Sequence, residues 1–226
     1  MVEKNLVPEI EGMTIVVAGD FNPAIMHPQW FASNGLIRDE DAKNAEIEIV
    51  HKRVSNFRTE SFSLQVTDDR FAIQSEDPTI FLPIRDLAVG TFSILEHTPV
   101  RAFGLNRYEH IPMESEATWH ALGDFFVPKA PWSELMDRPG TKTVAVAGRR
   151  KGADDAIVEL KIQPSSKTQN GVHLHLHEHY DIPHDANSPE AMKYLLKTLR
   201  GSWESFNDYW HEAATHLLST CREKKT

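Results

Sequence analysis

The chain lacks the features that most quickly assign a protein to a class. It has one cysteine in 226 residues, Cys221, so no disulfide can form within it. No window approaches the roughly 18 apolar residues of a membrane-spanning helix. The opening MVEKNLVPEIEGM carries acids and has no apolar centre, unlike a secretory signal. These absences point to a cytoplasmic protein that does not use a membrane. A basic surplus is missing too: 33 acidic against 24 basic residues give a formal charge of −9. The basic clusters are short, GRRKG at 148–152 and REKK at 222–225. Long-range electrostatics therefore weigh against nucleic acid as the main partner. The phosphate loop GxxxxGK[ST], the dinucleotide fingerprint GxGxxG and the nucleophile elbow GxSxG are all absent. Cys221 lies in a charged tail where no activating base is evident.

What is present is an alternation of strands and helices. At 40% hydrophobic and 25% charged residues, the composition is that of one globular domain spanning 1–226. MTIVVAG (13–19) reads as a buried strand, HPQWFASNG as a short helix, and RDEDAKNAE as a polar helical turn or two. IEIVHKRV alternates as one strand, and SFSLQVTDDRFAIQ as a hairpin with Phe62, Leu64 and Val66 on one face. In PIRDLAVGTFSILEH, Ile84, Leu87, Ala88, Thr91, Ile94 and Leu95 form an apolar helical stripe. VRAFGLNRYEHI follows as a strand, and SEATWHALGD as a helix capped by Ser115. TKTVAVAG, AIVELKIQ and GVHLHLHEHYDI are three further strands. Ser188 and Pro189 open a final helix of about 30 residues, on the order of 45 Å, with a bend expected near Gly201.

This order predicts an α+β fold: a twisted antiparallel sheet with helices packed on one side and a long C-terminal helix. It also divides the chain into pseudo-repeat halves, 12–98 and 99–220, each reading β-α-β-β-β-α, with Trp30 and Trp119 on equivalent short helices. Such a doubled unit resembles the TATA-box-binding-protein-like topology. The phrases FNPAIMHPQWF, LEHTPVRAFGLNR and VHLHLHEHY are similar to a bacterial family of uncharacterised proteins, a likeness that implies no activity.

Two stretches invite chemistry. VVAGDFNP resembles the motif of DNase I-like nucleases and phosphatases, which implies that Asp20 and Asn22 position a phosphate and its metal. Those enzymes present the motif mid-chain and carry a later Ser-Asp-His element that this chain lacks. A strand-ending turn, where Asp and Asn are favoured, accounts for the same residues. The second stretch is GVHLHLHEHYD (171–181). Residues two apart on a strand share a face, so His173, His175 and His177 form a row that His179 can extend. With a further ligand from His184, Asp181, Asp185 or Glu178, the row suits zinc or iron. Equally, the histidines can coat the open polar face of a half-buried sheet, beside Glu159, Lys161 and Gln163 and in line with Ser61, Ser63 and Gln65. Such a cluster is also expected to change charge between pH 5 and 8. Arg107, Tyr108, Glu109 and His110 read as a polar cluster on an exposed loop where a strand leaves the sheet.

The balance favours a non-enzymatic binding or assembly subunit acting through its sheet face or its long final helix, with a protein partner or a second copy. The competing reading is a metal-dependent enzyme built on His173, His175 and His177. A nucleic-acid-binding saddle is the third, and requires basic residues gathered on the concave face.

Overall fold

Alternation of apolar and polar residues along most strands gives each strand one side to bury, and nine of them assemble into one antiparallel sheet. A computed structural model describes residues 7–153 and 155–223, with the backbone alone for 220–223. The strands are β1 (Ile10–Gly19), β2 (Glu46–His51), β3 (Val54–Arg58), β4 (Ser63–Thr67), β5 (Arg70–Ser75), β6 (Val100–Pro112), β7 (Val144–Arg149), β8 (Ile157–Pro164) and β9 (Gly171–Asp181). Their spatial order is β2-β3-β4-β5-β1-β6-β9-β8-β7. Both halves wind the same way: the first strand of each, β1 or β6, lies at the centre beside the last, and the earlier strands step outward.

Among the described residues the seven α-helices are α1 (Pro28–Ser33), α2 (Asp39–Asn44), α3 (Phe81–Ile94), α4 (Glu116–Phe126), α5 (Ala130–Ser133), α6 (Pro189–Gly201) and α7 (Trp203–Glu223). Helix α3 packs on β1 and β5, α6 on β6, and α7 on β9. They cover one face, where Met13, Ile15, Val17, Leu64, Ile73, Leu105, Leu174 and Leu176 are fully buried with Phe92, Phe206 and Trp210. Ser115 and Ser188 cap α4 and α6 as expected, each accepting an N–H from the first turn. Among the described residues no helix is long and apolar enough to cross a membrane.

Two local readings need correction. IEIVHKRV is a hairpin: β2 and β3 pair across a turn at Lys52 and Arg53. The first half therefore has four strands after its short helices, where three were expected. The turn carries no Asn-Gly or Asp-Gly signal, so continuous alternation hid it. The final helix is also two helices rather than one bent rod. Ser202 ends α6, and its hydroxyl donates to the Thr198 carbonyl at 2.7 Å. A Gly-Ser pair is a frequent site for such a break.

Candidate functional site

The central strands β6 and β9 run side by side in register, and their alternation sorts polar residues onto two faces. Facing away from the helices, His173, His175 and His177 stand opposite His110, Tyr108 and Asn106 of β6. On their other side they meet Gln163, Lys161 and Glu159 of β8. His179 continues the row opposite Gly104. Val172, Leu174 and Leu176 point into the core as the alternation required.

The row is a ladder of rings. His110 and His173 stack with centroids 4.5 Å apart and planes within 25°. His173 and His175 follow at 6.1 Å, and His177 and His179 at 5.9 Å. Tyr108 leans against His173 at 5.7 Å, and its hydroxyl donates to Glu76 at 2.7 Å. Two glycines make room. A Cβ on Gly12 would lie 2.3 Å from the Tyr108 ring, and one on Gly104 2.9 Å from the His177 ring. Both rings therefore lie flat across a neighbouring strand.

Several imidazole nitrogens hydrogen-bond sideways along the sheet. His177 Nδ1 donates to Asn106 at 2.8 Å, and the Gln163 amide donates to His173 Nδ1 at 3.0 Å. His110 shares a 2.8 Å hydrogen bond with Ser165, and His179 donates to Asp181 at 3.0 Å. Half-burial penalises the charged ring. It pushes His173 down to about 4, helped by the neighbouring His110 and His175, and His175 to about 4, helped by Lys161. His110 and His177 shift downward for the same first cause. Burial therefore moves the titration of His173 and His175 downward, out of the middle of the pH 5 to 8 window expected for the cluster.

The helix-facing side holds different chemistry. Glu178 was counted with the possible ligands, but it points away from the histidines and is fully buried. Its carboxylate lies 3.3 Å from Arg150 and accepts the Tyr180 hydroxyl. Arg150 donates to the Ser205 carbonyl of α7 at 2.8 Å. One strand over, Arg107 and Glu109 are buried, so the expected exposed loop is central strand. Arg107 donates to Glu11 and to Asn207 of α7, both at 2.8 Å. Trp210 of α7 donates its indole N–H to Glu109 at 2.7 Å. Burial raises both Glu109 and Glu178 above the usual carboxylate range, against the lowering influence of these partners.

The remaining sequence candidates are separate from this site. Asp20 pairs with Arg101 at 2.5 Å, and Asn22 caps the 3-10 turn Pro23–Ile25 through the Ala24 N–H. The side chains of Cys221 and of the REKK cluster lie outside the described residues. Among the described residues, no group of three or more His, Cys, Asp or Glu side chains is arranged to hold a metal ion. Sequence reading missed that Tyr108 and His110 belong to the histidine face. The signal was there: Asn106, Tyr108 and His110 alternate as the histidines do. No protein-family model matches the chain, and no curated protein matches it.

Proposed function

We propose that the protein is a non-enzymatic binding subunit that docks another protein on its open central face, over Tyr108, His110 and the His173–His179 row. The observation that carries this reading is the half-buried ladder of imidazole and phenol rings on the sheet face that, among the described residues, lies away from the helices. A neutral ring costs less to desolvate than a charged one, the Nδ1 atoms of His173 and His177 are bonded within the sheet so that Nε2 is the atom able to meet a partner, and interface centres are rich in tyrosine such as Tyr108. Charges beside the row are already matched, with Lys161 3.4 Å from Glu159. The face mixes Arg58, Arg70 and Lys161 with Glu48 and Glu159, which supports a protein partner over a nucleic-acid backbone. The common winding of the two halves supports reading them as pseudo-repeats, with the docking face at their junction on the second.

Native mass spectrometry of untagged protein, taken from its own cells without chelator or nickel resin, tests the proposal. The expected spectrum shows the chain with the added mass of a second protein. A stoichiometric zinc or iron ion that disappears in His175→Ala would instead establish the metal-enzyme reading built on His173, His175 and His177.

A further inference from the structure

The two edges of the sheet present different patterns. An edge strand exposes unpaired backbone N–H and C=O groups. At one edge, β7 presents Ala145, Ala147 and Gly148 with Val146, 65% exposed, between Lys142 and Arg149. At the other edge all six residues of β2 are exposed, and three are β-branched: Ile47 at 55%, Ile49 at 44% and Val50 at 40%.

The faces of β2 form a palindrome. Ile47 opposes Phe57 and Val50 opposes Ser55, so both sit on the helix side; Glu46 opposes Arg58 and His51 opposes Val54, on the open side. Between them the register shifts, one residue of β2 being extra. Ile49 stands opposite Asn56, and Glu48 accepts that residue's amide, so both turn to the open side. The strand therefore reads out-in-out-out-in-out. Paired residues on antiparallel strands must share a face. A regular six-residue strand cannot meet this condition about a twofold axis at its centre, because alternation puts its ends on opposite faces. The bulge makes it possible.

We infer that β2 is a self-pairing edge: two copies of the chain join their sheets through antiparallel β2 strands about a twofold between Glu48 and Ile49. Glu46 of each copy then faces His51 of the other, Ile47 faces Val50, and Glu48 faces Ile49. Main-chain hydrogen bonds extend the ladder, the β-branched side chains leave water, and a carboxylate–imidazole pair closes each end. The contact is short, so the dimer forms reversibly with concentration rather than permanently. Self-pairing goes beyond the docking proposal, since it uses a different surface and a different partner.

Sedimentation velocity across a dilution series tests it. The full chain is expected to shift from monomer to dimer as concentration rises. Ile49→Glu, which sets a second carboxylate opposite Glu48 of the other copy and gathers four near the axis, should hold it monomeric, whereas Val146→Lys on β7 should leave dimerisation unchanged. Glu46→Lys should weaken the dimer, and adding His51→Glu to that variant should restore it. Circular dichroism confirms that each variant is folded. A wild-type chain that stays monomeric throughout overturns the inference, as does a dimer that survives Ile49→Glu or is lost in Val146→Lys. Ile49→Glu leaves the histidine face intact, so loss of the dimer and loss of the docked protein are separate results.

Discussion

Consecutive residues on β9 belong to two regions with opposite solutions to the same problem. On the open side, half-burial disfavours the charged form of His173, His175 and His177, and Glu159 offsets this only in part at His175 and His177. On the covered side, Glu178 is buried with Arg150 and Tyr180, and Glu109 with Arg107 and Trp210. The lesson is that polarity alone does not say which side of a sheet a residue occupies. The open side leaves its histidine rings partly exposed beside the Lys161–Glu159 pair. The covered side uses its polar groups to fasten α7 to the sheet, through Ser205, Asn207 and Trp210.

The largest predicted effect breaks the covered side. Glu178→Ala leaves the Arg150 guanidinium buried without its carboxylate, and should destabilise the fold by about 3–5 kcal/mol in urea unfolding. Trp210→Phe, which removes the indole N–H that the buried Glu109 accepts, should cost about 1–3 kcal/mol in the same measurement. On the open side, His175→Gln keeps a neutral polar side chain and should change stability by no more than about 1 kcal/mol. If it matched the Glu178 variant, the contrast between the two sides would fail.

Acidity sharpens the comparison, because the two sides carry opposite signs. As pH falls from 6.5 toward about 4, the unfolded chain takes up protons that His173 and His175 refuse in the fold. Their contribution to stability, complete above 6.5, is lost over that window. Glu109 and Glu178 have raised values, so their contribution is complete below their unfolded value of 4.5 and is lost as pH climbs through the folded ones. A histidine NMR titration should find His173 and His175 well below 6.5. Unfolding of His175→Gln between pH 4 and 6.5 should show a shallower acid limb than the parent. The groups around these rings, Lys161, Glu159 and His110, are unchanged in that variant.

The histidine row was legible because a period of two with apolar partners has only one reading on a sheet. Most strand and helix positions followed from similar patterns, and the serine caps marked two helix starts. Arg107 and Glu109 were not legible. The polar run from Asn106 to His110 places polar residues on both faces of β6, so alternation gives no sign of burial. What makes the buried pair tenable comes from Asn207 and Trp210, about a hundred positions later. Glu178 was hidden in the same way, its arginine arriving from the β7–β8 turn and its helix contact from Ser205. The β2–β3 turn escaped notice because Lys52 and Arg53 interrupt neither the charge pattern nor the alternation.

The most direct test of the central claim compares the native mass spectrum of the untagged wild-type assembly with that of His175→Glu. The substituted carboxylate would lie beside Lys161, so the chain should remain folded while the histidine row gains a negative charge. The account predicts that the second protein is present with wild type and absent with His175→Glu. The same second protein bound equally to both would contradict a docking role for the open face.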